Sequence, residues 1–458
     1  MVQTGVIILA AGQGKRMKSR LNKVLHPLCG EPILSYPLRL ARSLAAERVA
    51  VVVGHQAEEV KKRFPEEGFC FVHQSAPRGT GDAVRCSAPL FADFRGTVLV
   101  LFGDTPLLRP ETVVELLQTH RHTGAAVTLL TALLPDPRGY GRIVRDEKGE
   151  VLRIVEEADA SPAERKIQEI NSGISCFDST FLFPALDRLS PQNQQGEYYL
   201  TDLVGMAREE GRMVAARQAA DWQEVMGIDD RRKLAQAEHL LRLQIAEQHM
   251  LNGVTILDPA HTYIDRAVEI GRDTVIYPNC YLQGETRIGD GCTILPNTFI
   301  TSSTLEDEVV IKGYSVITES YIGAHSTIGP FAHLRPGSML AERVKIGNFV
   351  EVKKSVIGEG SKASHLSYIG DTLMGKGVNI GAGMITCNYD GKQKAQTIIE
   401  DEVFVGSDSQ FIAPIRIGRG SYIATGTTVR KDVPPESLVF NRKEEIHREG
   451  WARERKKS

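Results

Sequence analysis

Residues 322–347 read IGAHSTIGPFAHLRPGSMLAERVKIG. The pair Ile322-Gly323 returns six residues on as Ile328-Gly329, and eighteen after that as Ile346-Gly347. Working outward, Ile270-Gly271 and Ile288-Gly289 stand 18 apart, and Ile357-Gly358 and Ile369-Gly370 stand 12 apart. Val405-Gly406 and Ile417-Gly418 are also 12 apart. Every spacing is a multiple of six, which is the signature of a parallel β-helix. Three hexapeptides close one triangular coil of about 18 residues. The aliphatic residue is expected to point into the prism, with glycine permitting the sharp corner. One polar stretch breaks the phase, Cys387-Asn388-Tyr389-Asp390-Gly391-Lys392-Gln393-Lys394. It is expected to leave the prism as a loop, and loops on rigid scaffolds often carry function.

Upstream of the repeats, Asp230 to about Met250 carries Leu234, Ala237, Leu241, Ile245 and Gln248 near one helical face, uninterrupted by Gly or Pro. At ~1.5 Å per residue this helix spans roughly 30 Å, enough to separate two domains. Before it, the apolar runs Val6–Ala10, Val49–Val53, Val98–Phe102 and Ala126–Leu130 alternate with amphipathic segments such as Pro32–Leu44 and Glu111–His120. That alternation predicts an α/β, mostly parallel sheet flanked by helices, with ligands at the carboxyl ends of the strands. The expected organisation is an α/β domain over 1–229, a helical linker over 230–250 and a β-helix over 251–458.

The first strand runs into LAAGQGKRM at residues 9–17. A buried strand entering a Gly-rich basic turn usually meets a phosphate. The stretch is neither common fingerprint. Leu9 stands where a Walker A loop needs its first Gly, and Met17 where a dinucleotide loop needs its third. Gly12 and Gly14 allow close backbone approach to phosphate oxygens. Arg16 is a fork-shaped donor and Lys23 a second cation. Asp104, after the strand in LFGDTPLL, suits Mg²⁺, a hard ion that prefers oxygen ligands and phosphate, or else caps a helix near Pro106 or Pro110.

Composition removes several classes. A net charge of −2 gives no bulk electrostatic case for nucleic acid. No apolar stretch approaches the ~20 residues of a membrane span. The N-terminal MVQTGVIILAAG reads as a first strand rather than a signal peptide. Seven cysteines, an odd number without a C-x-x-C pair, point to free thiols in a reducing cytoplasm.

LAAGQGKRM with Lys23 and Pro27 resembles the signature of sugar-1-phosphate nucleotidylyltransferases. RPGSMLAERVKIGNFVEVKKS, SKASHLSYIGD, NIGAGMITCNYDG and VFVGSDSQFIAP narrow the likeness. From residue 5 to about 451 the chain resembles the bacterial family of bifunctional N-acetylglucosamine-1-phosphate uridylyltransferases and glucosamine-1-phosphate N-acetyltransferases. The resemblance implies a Rossmann-like nucleotidyltransferase domain, a left-handed β-helix and a cytoplasmic homotrimer. It implies UTP, N-acetylglucosamine 1-phosphate, glucosamine 1-phosphate and acetyl-CoA as substrates, with Mg²⁺ as cofactor. It assigns the uridylyl site to Leu9, Ala10, Ala11, Gly12, Arg16, Lys23, Gln74, Gly79, Thr80, Phe102, Gly103, Asp104, Gly141, Glu156, Asn171 and Asp229. Asp104 and Asp229 are its implied metal ligands. Asp229 stands where the family usually has Asn, and Phe102 where Tyr is common. His365 is implied as the general base of acetyl transfer, with Arg335, Lys353, Tyr368 and Asn379 around the sugar phosphate. Ala382, Asn388, Tyr389, Ser407, Thr425 and Arg442 fall on acetyl-CoA positions, Thr425 where Ala is common.

Two other readings compete. One is a single-activity nucleotidylyltransferase whose β-helix is only an oligomerisation scaffold. The dense polar set Arg335, Lys353, His365, Tyr368, Asn379 and Asn388 weighs against it, since a scaffold has no need of it. The other is a non-enzymatic, nucleotide-sensing assembly subunit. Intact Gly12, Gly14, Arg16, Lys23 and Asp104 weigh against that.

Overall fold

In the computed structural model, strand Gln3–Ala10 is buried along all but its first residue. Such a near-continuous apolar run suits a central parallel strand covered on both faces. It pairs in parallel with Arg48–Val53 on one side and Gly96–Phe102 on the other. Side-chain alternation divides it between two cores. Val6, Ile8 and Ala10 pack with Leu116 and Leu117 of helix Pro110–Thr123. Ile7 and Leu9 pack with Ala83 and Val84 of helix Thr80–Cys86. Each fully buried aliphatic side chain contributes about 1.5–3 kcal/mol, so this strand anchors the sheet. The structure describes residues 3–65, 68–442 and 444–456. They divide into two compact units, Met1–Leu241 and Arg242–Ser458, and helix Arg231–Leu251 runs through the division.

The main path of the first unit's sheet runs Val214–Gln218, Val127–Leu133, Glu169–Asp178, Gly96–Phe102, Gln3–Ala10, Arg48–Val53, Cys70–His73. All four expected strands belong to it. The sheet is mixed rather than purely parallel, because Glu169–Asp178 is antiparallel to both of its neighbours. Gln3–Ala10, Arg48–Val53, Gly96–Phe102 and Cys70–His73 all point one way. Their carboxyl ends therefore open onto one edge, where the loop after Ala10 and the loop after Phe102 meet.

The second unit is built from three all-parallel sheets, to which successive coils contribute strands in turn. In one sheet Ile294 pairs with Ile311, Ile311 with Ile328, and Ile328 with Ile346, steps of 17, 17 and 18. The step from Ile380 to Val405 lengthens to 25. That lengthening is the phase-breaking stretch, a loop closed on itself by Asp390, which accepts from Lys392 and Gln393 N–H. Ile294, Ile311, Ile328 and Ile346 are fully buried inside the prism.

Gly329 has the expected left-handed conformation, with φ 91°, but the glycine of several other pairs has a different reason. A Cβ on Gly271 would lie 2.5 Å from the Gly289 carbonyl carbon, and one on Gly323 2.5 Å from that of Ala341. One on Gly418 would lie 2.5 Å from Pro435 N. At these three positions glycine is needed because the next coil approaches too closely for any side chain. The left-handed corners fall mostly elsewhere, on residues such as Asp273, His325, Arg343 and Phe349.

All seven cysteines are free, and Cys29, Cys176, Cys280 and Cys292 are buried. No helix among the described residues is long and apolar enough to cross a membrane.

Candidate active sites

The Gly-rich loop leaves Ala10 and turns through residues 15–17, a short 3₁₀ helix bounded by Gly14 and Lys18, both left-handed. Gly14 is required twice over, by its φ of 60° and because a Cβ would meet Lys23 Cβ at 2.7 Å. Gly12, by contrast, faces open space, with no heavy atom of the described residues within 4 Å of where its Cβ would be. Asn22 places Lys23. Its side chain accepts from Val24 N–H and donates to the His55 carbonyl at 2.7 Å. Lys23 Nζ then lies 2.5 Å from Asp104 Oδ2, both side chains being 16% exposed.

Around that pair lies a cavity of about 270 Å³ lined by Leu9, Ala10, Ala11, Gly12, Lys23, Gln74, Gly79, Thr80, Phe102 and Asp104. Sequence reasoning had placed all ten in one site. Gly103 does not line it, and instead pins its N–H to the Leu9 carbonyl. Val24, Pro77, Ala83 and Glu197 complete the wall without a motif to announce them. Gly79, with φ 105°, presses against the backbone of Tyr198, where a Cβ would meet the carbonyl oxygen at 2.6 Å. The Gln74 amide donates to the Gly79 carbonyl at 3.2 Å and to Asp82 at 2.9 Å. Burial alone would raise the Asp82 carboxyl. The hydrogen bonds from Gln74 and Arg85, with the charge of Arg78, outweigh that and hold it below its ordinary value.

A second cavity of about 260 Å³ shares Thr80 and Phe102 with the first and contains Gly141, Glu156 and Asn171. Gly141 leaves room for Glu156, whose carboxyl would crowd a Cβ at 3.2 Å. Burial raises the Glu156 carboxyl above its ordinary value. The Thr201 hydroxyl, 3.0 Å from Oε1, opposes the rise, while Asp202, Asp159 and Glu197 add to it. Asn171 sits at a register break in strand Glu169–Asp178, and irregularities of this kind often re-aim side chains beside sites. Gly173 makes space for the Phe102 ring between the cavities. Thr201 is a wall residue that no local sequence signal marked.

Arg16 and Asp229 line neither cavity, but they pair with each other at 3.1 Å, Arg16 being 73% exposed. Asp229 also takes Lys233 Nζ at 3.0 Å, while its buried Oδ1 has no hydrogen-bond partner among the described residues. Ile228 N–H donates to the Asp104 carbonyl at 2.8 Å, which draws Asp229 towards Asp104.

In the second unit, one edge of the prism gathers most of the expected residues. His365 ends strand Lys362–His365, and Leu366 turns the edge with φ 48°. On the face beyond, Lys353 Nζ lies 3.2 Å from Asp371, and Asn388 of the inserted loop donates to the same carboxylate. Asn388 also reaches the Tyr368 hydroxyl at 3.5 Å. Gly370 permits this cluster, because a Cβ there would meet Tyr368 Oη at 2.5 Å and Asn388 Nδ2 at 2.8 Å. Arg335 is held by Glu351 at 2.8 Å. Lys394, also on the loop, is lowered from its ordinary value because its amine meets that of Lys353. Asp371 and Lys394 escaped sequence reasoning.

Asn379 lies across the edge, on the ladder that carries Lys362 and Phe404. Ala382, Ser407 and Thr425 stack along the same edge in successive coils. Asp408 N–H donates to the Ala382 carbonyl and Gly426 N–H to that of Ser407, each at 2.8 Å. Tyr389 is exposed on the loop, and Arg442 is exposed beyond the last strand.

A nucleotidyltransferase sheet whose strand ends hold paired cavities, on one chain with a hexapeptide prism bearing a cationic, histidine-tipped edge, belongs to a transferase of two activities. Residues 6–164 match the family described as MobA-like NTP transferase domain. Residues 260–350 match the GMPPB C-terminal domain, and 396–431 the hexapeptide repeat of succinyl-transferase. The chain is 54% identical over 452 residues to the Bifunctional protein GlmU of Pelobacter propionicus, covering 98% of each. It is 50% identical over 469 residues to that of Geobacter metallireducens, again with 98% of each covered. It is 50% identical over 457 residues to that of Geotalea uraniireducens, with 100% of each covered. The chain belongs to the GlmU family. It is a bifunctional enzyme that acetylates glucosamine 1-phosphate with acetyl-CoA and transfers UMP from UTP to N-acetylglucosamine 1-phosphate.

Proposed function

We propose that the Lys23–Asp104 cavity takes UTP and the adjoining Glu156–Asn171 cavity takes N-acetylglucosamine 1-phosphate. The observation that carries this is their junction at Thr80 and Phe102, which sets a sugar pocket directly against a nucleotide pocket. The sugar phosphate attacks the α-phosphorus and pyrophosphate leaves. Two unit charges about 4 Å apart at an effective dielectric near 20 interact by about 4 kcal/mol, so this meeting of anions needs fixed cations. Lys23 supplies one. Arg16, exposed and paired with Asp229, swings onto the departing pyrophosphate. Gly12 offers its backbone to phosphate oxygens without a side chain in the way. The Gln74 amide protons are committed to Gly79 and Asp82, so its carbonyl is left to accept from the uracil imide N–H.

Asp104 and Asp229 are the residues that would hold Mg²⁺. Hard carboxylate oxygens fit the ion, and the buried, unpartnered Oδ1 of Asp229 is the kind of atom a cation satisfies. When bound, the ion screens the charge of the phosphates. Asp229→Ala is expected to raise the Mg²⁺ concentration needed for half-maximal pyrophosphate release by roughly tenfold, the loss of about 1.4 kcal/mol. An unchanged Mg²⁺ requirement removes Asp229 from the site, and wild-type protein that releases no pyrophosphate from UTP defeats the uridylyl assignment.

At the prism edge, His365 serves as the base that takes a proton from the substrate ammonium, since only the neutral amine attacks the thioester. Arg335, Lys353 and Lys394 receive the sugar phosphate. The column Ala382, Ser407 and Thr425, with Asn388, Tyr389 and Arg442, receives acetyl-CoA. Beyond His365 the same edge carries Tyr314, Phe331, Phe349 and Leu366, 57%, 46%, 56% and 59% exposed, the three rings stacked 5.0 and 5.3 Å apart. A contiguous exposed apolar strip of this kind marks an interface. It supports a homotrimer in which a second copy closes each acetyl-transfer site. Phe331→Asp is expected to give a monomeric mass by light scattering and lose acetyl transfer while uridylyl transfer persists. A wild-type protein of monomeric mass with full acetyl transfer contradicts the trimer. Seven free thiols support a cytoplasmic location.

A further inference from the structure

We infer that Asn348 is a positioning residue for acetyl transfer. Its side-chain carbonyl holds His365 with the proton on Nδ1, so that Nε2 presents the lone pair that receives the substrate's proton. The inference rests on the assignment of His365 as the base. Asn348 and His365 end adjacent parallel strands and face each other in register, one coil apart. His365 Nδ1 lies 2.7 Å from Asn348 Oδ1. Both backbones are tied at that point. Leu366 N–H donates to the Asn348 carbonyl at 3.0 Å, and the Ser367 hydroxyl donates to the His365 carbonyl at 2.8 Å. The residue after each, Phe349 and Leu366, turns the edge in a left-handed conformation, so the two side chains leave the prism side by side.

An amide oxygen only accepts, so the imidazole nitrogen opposite it must carry hydrogen. The other nitrogen is then the acceptor, and the partner's bond decides which nitrogen is free. During transfer the new N–C bond forms and the C–S bond breaks. Nε2 first takes the ammonium proton and releases it to solvent; once the amine has attacked, the second nitrogen proton passes through Nε2 to the departing CoA thiolate, while the His365 Nδ1–H keeps donating to Asn348 Oδ1 throughout.

The test compares Asn348→Leu, nearly isosteric without an acceptor, with Asn348→Asp, which keeps one. Asn348→Leu is expected to lower kcat of acetyl transfer by about 10–100-fold, part of the 10²–10⁴ a general base supplies, with both KM values within twofold. Asn348→Asp is expected to recover most of that loss, and both variants should keep wild-type uridylyl transfer. Wild-type kcat in Asn348→Leu overturns the inference. So does a loss in Asn348→Asp as deep as in Asn348→Leu, or a loss expressed in KM alone. His365→Ala separates the two levels. If it retains acetyl transfer, the base assignment itself fails; if it is inactive while Asn348→Leu is normal, only the role of Asn348 fails.

Discussion

Replacing His365 by alanine is expected to lower acetyl transfer by about 10²–10⁴-fold while uridylyl transfer stays at the wild-type rate. The size follows from the chemistry. The substrate amine is an ammonium at neutral pH, and without a base in reach the attacking fraction is small. Selectivity follows from placement, because His365 stands on the second unit's prism and the uridylyl cavities are formed wholly by residues of the first. His365 is exposed, and its side chain hydrogen-bonds to Asn348 at the surface of the prism, so truncation opens no core cavity. Thermal unfolding of the variant should match wild type. Joint loss of both activities would instead mean that the division of labour between the units is wrong.

The reciprocal prediction concerns Lys23. Lys23→Ala is expected to lower kcat/KM of uridylyl transfer by about 10²–10³-fold, the scale of losing one preorganised charge at a developing anion. It should leave acetyl transfer untouched. Two effects combine here. The phosphates lose a cation, and Asp104 loses the partner 2.5 Å away that offsets its own repulsion of the nucleotide. Lys23→Arg should recover only part of the rate, because a planar fork cannot take the place of a compact ammonium that sits against both Gly14 and Asp104. A Lys23→Ala enzyme within tenfold of wild type would remove Lys23 from the reaction.

The fold was largely legible because its two signals are periodic or local. Ile-Gly at multiples of six needs no tertiary information, and a buried strand entering LAAGQGKRM is a contiguous feature. Glycine was misread at the coil corners because the sequence does not say how closely the next coil approaches. Gly323 is dictated by Ala341, eighteen residues on. The antiparallel course of Glu169–Asp178 was equally hidden, since an apolar strand carries no mark of its direction. The nucleotide cavity was legible because its residues follow strand ends. The acetyl-transfer edge was less so. Asn348 faces His365, and Asp371 faces Lys353, only through registers that mix steps of 17 and 18 residues. Lys394 reaches Lys353 only once the inserted loop has folded back.

The central claim is that one chain carries two separable transferase sites. It is tested most directly by supplying glucosamine 1-phosphate, acetyl-CoA, UTP and Mg²⁺ to purified His365→Ala, to Lys23→Ala and to an equal mixture of the two, and measuring UDP-N-acetylglucosamine. Little or no product is expected from either variant alone, and sustained product from the mixture, as N-acetylglucosamine 1-phosphate made by the second serves the first. Sustained product from either variant alone, or none from the mixture, would contradict the account.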